Sequence, residues 1–233
     1  MMKQWPIKAV LFDFDLTLAD SSIGIEDSTQ YALRGLELNP VEGAAILSVI
    51  GLPLKTMFHT LTGSADPVSA DAFVRLFLER ADEVMVSSTV IFQEVPDLLR
   101  QLQSRGTKVG IVSSKFRYRI EAILISTGLR SLVDVIIGAE DVSNHKPHPD
   151  AILLALTHLD VDAASAMYVG DHIVDSDAAR AAGVDFVGVL SGTMSRDAWD
   201  ARGDRCVNEH IGEIVQLVSF RRNSGPEIVD PYD

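Results

Sequence analysis

The 233-residue sequence is poor in several kinds of residue, and each scarcity excludes a class of protein. It has one cysteine, Cys206, so it cannot form an internal disulfide and lacks the signature of a disulfide-stabilised secreted domain. Its 20 lysine and arginine residues are outnumbered by 33 acidic residues, which gives a net charge of −13. Because that charge repels nucleic acids and anionic membranes, we expect neither as a partner.

Long apolar runs are also missing. The first apolar run is about four residues long before it meets Asp13, too short for a secretion signal or a membrane span. We therefore expect a cytoplasmic protein, and the sequence leaves open whether it forms a homodimer. The composition, 47% hydrophobic and 23% charged, is that of a globular protein with a substantial core.

Short apolar runs alternate with helical patterns over most of the chain. The runs that predict buried strands are residues 7–12, 107–112, 133–137, 166–169 and 185–190. Between them apolar residues recur at helical spacing, as in the stretch 95–102 that ends before Gly106. This alternation predicts a Rossmann-like parallel sheet with helices on both faces, a three-layer α/β/α fold.

Residues 20–90 interrupt the alternation. They show helix-like stripes but no run that predicts a buried strand. We therefore predict a helical cap domain at 20–90, inserted into an α/β core domain that comprises 1–19 and 91–220. The polar segment 221–233 is predicted to be a flexible tail.

Four short segments follow predicted strands, at the sheet edge where open α/β folds bind ligands. They are 13–17, 113–115, 146–147 and 170–175. Asp13 and Asp15 would repel each other at a strand end unless a cation lay between them. A single aspartate there would more simply cap a helix. The segments contain four, however: Asp13, Asp15, Asp171 and Asp175. Four carboxylates indicate a site for a hard divalent ion, and Mg²⁺ is the usual one beside phosphate.

The other two segments supply groups that suit a phosphoryl ligand. Phosphoryl transfer is catalysed by positioning and by neutralising the charge on the phosphoryl oxygens. Lys146 offers a mobile cation, and Ser113 offers a hydroxyl beside backbone N–H groups. Either residue alone is unremarkable, so the prediction rests on their order and on their place beside the acidic segments.

In this order the four segments resemble the motifs of the haloacid dehalogenase superfamily of phosphohydrolases. The likeness covers residues 7–200, and the stretch 144–149 resembles the phosphoglycolate phosphatase branch, which carries a helical cap between its first two motifs. The resemblance implies a Mg²⁺-dependent phosphatase that acts on a small phosphorylated metabolite through an aspartyl-phosphate.

The resemblance also implies roles for the acidic residues. Asp13 would attack phosphorus, while Asp15 would act first as general acid and then as general base. Asp171, the side chain of Asp13 and the backbone carbonyl of Asp15 would hold Mg²⁺. Asp175 would support that shell or orient the lysine, with Asp177 as the less favoured alternative.

Ser113, Ser114 and Lys146 are the substrate-binding residues that the resemblance implies. Lys115 could touch the phosphate, but a surface lysine with no part in the site is the simpler prediction. Leu16 stands where the family more often has glycine, so the turn after the second aspartate must accommodate a side chain.

Two other functions stay open at this point. A phosphomutase of the same superfamily would carry a histidine where this chain has Ile25, which favours hydrolysis. A receiver-like or catalytically silent phosphate-binding protein would use similar groups, but a receiver would lack the large insertion. Within the insertion, the turn 50–54 resembles the substrate-facing loop of phosphoglycolate phosphatase relatives, and we expect it to border the leaving group.

Overall fold

A computed structural model describes residues 7–207 and 211–222, and it contains eight strands within those ranges. The strands are β1 (Ala9–Phe12), β2 (Ala19–Asp20), β3 (Val90–Ile91), β4 (Lys108–Val112), β5 (Val135–Ile137), β6 (Ala166–Gly170), β7 (Asp185–Gly188) and β8 (Arg205–Cys206). Six of them form one parallel sheet in the order β5-β4-β1-β6-β7-β8. The predicted Rossmann-like parallel sheet is confirmed.

Helices cover both faces of this sheet. The α-helices are α1 (Ser22–Gly35), α2 (Gly43–Leu47), α3 (Leu54–Thr62), α4 (Pro67–Ser88), α5 (Val95–Ser104), α6 (Arg117–Ser126), α7 (Asp150–Leu159), α8 (Ile173–Ala182), α9 (Arg196–Arg202) and α10 (Ile214–Arg222). The core on one face includes α5, α6 and α10, and the core on the other includes α7, α8 and α9. None of the helices described is both long and apolar enough to cross a membrane.

The central strand β1 shows why its sequence is a continuous apolar run. Val10 and Phe12 pack into the core on one face, and Ala9 and Leu11 pack into the core on the other. All four residues are fully buried. A strand covered on both faces cannot alternate apolar and polar residues, and this produces the run that the sequence shows.

The segment between β2 and β3 is helical, as predicted. It contains α1 to α4, and β2 pairs with β3 in an antiparallel ribbon where the segment leaves and rejoins the core. The ribbon and the short edge strand β8 are not among the predicted strands, because two-residue strands carry too little periodicity to be recognised. The domain boundaries at 20 and 90 stay a prediction.

The end of the chain differs from the expectation in one respect. Helix α10 runs to Arg222, so residues 221 and 222 of the predicted tail are helical. The rest of that predicted tail lies outside the described residues.

The order of the strands places three of the four predicted segments side by side, whereas the fourth, 146–147, lies nine residues beyond the end of β5 and so does not follow a strand directly. Strand β1 lies between β4 and β6, so the carboxyl ends of these three strands are neighbours. Asp13 follows β1, Ser113 follows β4 and Asp171 follows β6. The fold therefore brings groups from distant parts of the sequence to one edge of the sheet.

Candidate active site

Three buried carboxylates form an acidic cluster at this edge: Asp13, Asp171 and Asp175. One carboxylate oxygen of each lies within 4.8 Å of those of the others. Asp13 and Asp171 end strands, whereas Asp175 lies in the first turn of α8, four residues after Asp171. At most 3% of each residue is exposed, so their charges are poorly screened by solvent.

Lys146 supplies the positive charge beside the cluster. Its Nζ lies 3.0 Å from Oδ1 of Asp13 and 2.6 Å from Oδ1 of Asp175, and it donates to the hydroxyl of Tyr168 at 3.2 Å. Burial lowers the pKa of Lys146, but the fields of Asp13 and Asp175 outweigh it and hold that pKa well above its ordinary value. The lysine is therefore a permanent cation that faces the proposed nucleophile.

The acidic cluster fits a divalent cation. Oδ1 of Asp13 is buried and, among the described residues, receives no hydrogen bond of good geometry despite the nearby ammonium. Burial raises the pKa of Asp13 to about 6 against the opposing field of Lys146, and burial also raises the pKa of Asp171 well above its ordinary range. With all three carboxylates ionised, they and the ammonium would carry two net negative charges. One Mg²⁺ would neutralise them and would bind to the oxygen donors that it prefers.

Neighbouring groups hold the carboxylates in place. The hydroxyl of Thr17 donates to Oδ1 of Asp171 at 3.0 Å, and the backbone N–H of His172 donates to Oδ2 of Asp175 at 3.0 Å. A side chain at Gly192 would collide with the carboxylate of Asp171. Thr17 belongs to the first motif segment, although the sequence predicts no role for it, whereas Gly192 carries no signal in a single sequence.

Asp15 does not belong to the acidic cluster, and its side chain forms an ion pair with Lys115. The ammonium of Lys115 donates to both carboxylate oxygens of Asp15, at 2.8 and 3.1 Å. The two side chains are only 5% and 9% exposed, so the prediction that Lys115 is a surface lysine is wrong. The part assigned to the backbone carbonyl of Asp15 in holding Mg²⁺ stays a prediction.

The two serines after β4 lie beside this pair. The hydroxyl of Ser113 accepts a hydrogen bond from the backbone N–H of Lys115 at 3.3 Å. The hydroxyl oxygen of Ser114 is buried and has no hydrogen-bond partner among the described residues. A buried hydroxyl without a partner is costly, so Ser114 is suited to bind a ligand.

Leu16 makes the turn that follows Asp15 with a positive φ of 57°. Its backbone N–H donates to the carbonyl of Ala19 at 2.7 Å, which closes the turn. The turn therefore accommodates the side chain of Leu16, as expected, by placing this residue in the left-handed conformation. Glycine adopts that conformation more easily.

Two cavities open onto the site. The small cavity, about 50 Å³, is lined by Asp15, Ser114 and Lys115 of the core together with the turn at Ile50 to Leu52 of the insertion. The large cleft, about 800 Å³, includes Ser114 and Lys146 in its wall. Both lie between core and insertion, so the insertion reaches over the carboxyl edge of the sheet.

The model of the haloacid dehalogenase-like hydrolase family matches residues 10–189. The chain belongs to this family. It is 32% identical over 214 residues to the pyrophosphatase PpaX of Bacillus pumilus, with 92% of this chain and 94% of the relative covered. It is 29% identical over 249 residues to a phosphoglycolate phosphatase of Escherichia coli, with 97% and 98% covered. A solved haloacid dehalogenase-like hydrolase from Bacteroides fragilis superposes with a TM-score of 0.86 at 35% identity, over 89% of this chain and 99% of that one.

These similarities confirm the predicted family and the predicted class of enzyme. The chain is a haloacid dehalogenase-like phosphatase, a hydrolase of phosphoric monoesters. Its first and fourth motif segments are those whose aspartates meet in the acidic cluster.

The side chain of Asp177, the alternative to Asp175, points away from the acidic cluster of this haloacid dehalogenase-like chain. Its carboxylate accepts from Nη2 of Arg202, and it is absent from the acidic cluster. On a helix, residues two apart face different directions, which explains why only one of the two aspartates reaches the site.

Proposed function

We propose that this haloacid dehalogenase-like chain is a Mg²⁺-dependent phosphatase that hydrolyses a small phosphorylated metabolite through an aspartyl-phosphate on Asp13. The observation that carries the proposal is the buried Oδ1 of Asp13, which has no well-aligned hydrogen bond among the described residues and faces Lys146. A carboxylate that is desolvated and incompletely paired is suited to attack phosphorus.

Each nearby group has a part in that reaction. As Asp13 attacks, Lys146 neutralises charge on the phosphoryl oxygens, and Ser113 and Ser114 donate hydrogen bonds to them. Asp15 gives a proton to the leaving oxygen and later takes one from the attacking water.

Asp13, Asp171 and Asp175 would hold Mg²⁺, with the backbone carbonyl of Asp15 as a further ligand. When bound, the ion supplies a second positive charge against the phosphoryl oxygens. The two net negative charges that the cluster and Lys146 would carry with all three carboxylates ionised support this assignment.

We further propose that residues 20–90 act as a cap that encloses the substrate. The turn at 50–54 supports this, because residues Ile50 to Leu52 line the small cavity opposite Asp15. An enclosed site admits a small metabolite rather than a macromolecule. The cytoplasmic location stays a prediction, and a homodimer stays open.

The side chain at position 25 argues against a mutase. Ile25 is 6% exposed and lines the small cavity, where its side chain can transfer no proton to a second acceptor hydroxyl. The helical insertion in turn argues against a receiver domain, which has none.

Phosphate release from p-nitrophenyl phosphate tests the proposal. We expect steady turnover with Mg²⁺ and its loss with EDTA, restored by added Mg²⁺. Labelling of one phosphate per chain without turnover would indicate a receiver. Transfer to an added sugar phosphate in preference to water would indicate a mutase, and complete inactivity with Mg²⁺ would refute the phosphatase.

A further inference from the structure

We propose that Lys115 binds a second negative charge on the leaving group, so that the enzyme selects small phosphate esters or anhydrides whose leaving group is an oxyanion. This rests on the proposed function, because it assigns a ligand to the cavity beside the general acid. The shared chemistry of that ligand is a carboxylate or a phosphate close to the reacting oxygen.

The first argument is the burial of Lys115 in a mostly apolar wall. Its side chain is 5% exposed, and within the part of the chain described, Asp15 is the carboxylate at ion-pair distance from it. The opposite wall of the small cavity includes Ile50, Leu52 and Met57. A cation buried in such surroundings needs a counter-charge, because its desolvation is otherwise uncompensated.

The second argument is competition for the carboxyl group of Asp15. Both of its oxygens lie on the ammonium of Lys115. In the proposed reaction the same carboxyl must face the leaving oxygen, so it cannot keep both contacts with the lysine. An oxyanion on the leaving group would occupy the place that Asp15 vacates and would keep Lys115 paired.

The third argument is size. The small cavity, at about 50 Å³, has far less room than the large cleft, at about 800 Å³. A carboxymethyl or phosphoryl group suits the smaller space better than a sugar does. The large cleft lacks Asp15 in its wall, so a leaving group that takes a proton from Asp15 lies in the small cavity.

Arg119 is the other cation that lines the small cavity, but its guanidinium is turned toward the insertion. Its Nη2 donates to Oδ1 of Asp82 at 2.7 Å and to the carbonyl of Leu78 at 2.9 Å, and its Nε donates to the same Oδ1. Lys115 is therefore the cation placed to meet a leaving group.

The test compares substrates that differ in leaving-group charge. Values of kcat/KM are measured at one pH and saturating Mg²⁺ for 2-phosphoglycolate, pyrophosphate and 2-hydroxyethyl phosphate. The last is an analogue of the first whose leaving group is neutral. The unaltered enzyme should prefer at least one anionic substrate by about 30-fold or more, the lower range for a buried charge pair. The preference should fall to about threefold or less in Lys115→Met and persist in Lys115→Arg.

Lys108→Met is the matched control, since Lys108 is an exposed lysine paired with Asp134 at the opposite end of β4, and it should keep the full preference. If Lys115→Met loses the preference for phosphoglycolate over 2-hydroxyethyl phosphate, the ligand of Lys115 is a carboxylate. If it loses the preference for pyrophosphate, the ligand is a phosphate. Equal kcat/KM for the substrates with anionic and neutral leaving groups in the unaltered enzyme overturns the inference, as does a full preference in Lys115→Met.

The comparison within the unaltered enzyme stands even where Lys115→Met fails to fold, and circular dichroism identifies that case. Glycolate then provides a second measurement on the same protein. It should inhibit p-nitrophenyl phosphate hydrolysis at concentrations at least about tenfold lower than ethylene glycol does, and equal inhibition overturns the inference. Failure of the proposed function is distinct, because it would appear as absence of Mg²⁺-dependent phosphate release from p-nitrophenyl phosphate itself.

Discussion

The acidic cluster and the small cavity lie side by side, yet different parts of the fold build them. The carboxylates of Asp13 and Asp171 stand at the ends of two adjacent strands, and Asp175 stands one helical turn beyond. The small cavity is closed by a turn of the insertion and by Lys115 after β4. The cluster thus depends on the sheet, whereas the cavity depends on how the insertion meets the core.

The contacts within the acidic cluster and those between the insertion and the core also differ in strength. Lys146 and Asp175 are 2% and 0% exposed where they pair, so solvent screens them little. The ion pair between Arg119 of the core and Asp82 of the insertion links these two parts of the fold, and the side chain of Asp82 is 54% exposed. We infer that changes in the acidic cluster act mainly on catalysis, and that changes at the link act mainly on stability and on the placement of the insertion.

Asp13→Asn should have the largest effect and would show that the cluster carries the chemistry. An amide is a very poor nucleophile, so turnover of p-nitrophenyl phosphate should fall by at least about a thousandfold. The fold should be kept, because burial raises the pKa of Asp13 to about 6 and thus already disfavours its charged form. Tm measured without metal should not be lower than that of the unaltered protein. Near-normal turnover would contradict the nucleophile assignment.

Lys146→Met should rank next, since it removes the cation that Asp13 and Asp175 share. Turnover should fall by at least about a hundredfold, and KM should rise, because the phosphoryl oxygens lose a counter-charge. The uncompensated carboxylates should lower the free energy of unfolding by about 3 kcal/mol. Steady-state kinetics and urea denaturation measure these effects, with Lys108→Met as the control. An unchanged KM and stability would place Lys146 outside the site.

Asp171→Ala should mainly weaken the binding of Mg²⁺. The concentration of Mg²⁺ that gives half-maximal activity should rise by at least about tenfold, and excess Mg²⁺ should restore part of the activity. Asp177→Ala is the matched control, because Asp177 pairs with Arg202 outside the cluster and should leave the Mg²⁺ dependence unchanged. Equal shifts in the two variants would argue against the assigned ligands.

Asp82→Asn should have the smallest effect. It changes the contact between the insertion and the core and leaves the acidic cluster intact. Oδ1 of Asp82 accepts from Arg119 of α6 and from the hydroxyl of Tyr118, so the link between core and insertion weakens. Because Asp82 is half exposed, we expect a loss of about 1–2 kcal/mol in the free energy of unfolding. The Mg²⁺ dependence should stay the same.

The control for that change lies on the same helix. Asp71 forms an exposed pair with Lys55, and Asp71→Asn should change the free energy of unfolding by about 0.5 kcal/mol or less. Urea denaturation of both variants decides the matter. A larger loss in Asp71→Asn than in Asp82→Asn would show that the link to Arg119 does not hold the insertion.

Three of the four motif segments could be found in the sequence because each directly follows a buried strand, and buried strands are readable as apolar runs. The fourth, 146–147, lies nine residues beyond β5 and could be recognised only by its order in the chain. The surroundings of Lys115 could not be found this way. In the sequence it is one lysine after two serines, and only the packing of the core against the insertion buries it beside Asp15. The same holds for Arg119, whose partner Asp82 lies 37 residues earlier in the chain.

The sequence by itself predicted the parallel sheet, the helical insertion and the aspartates that form the acidic cluster, because strand periodicity and strand-end aspartates are local signals. Only the tertiary structure decided that Asp175 rather than Asp177 joins the cluster and that Asp15 lies on a buried lysine. It also decided that the cavity beside Asp15 is small. These outcomes depend on side-chain direction and on contacts between distant segments, which no local pattern records.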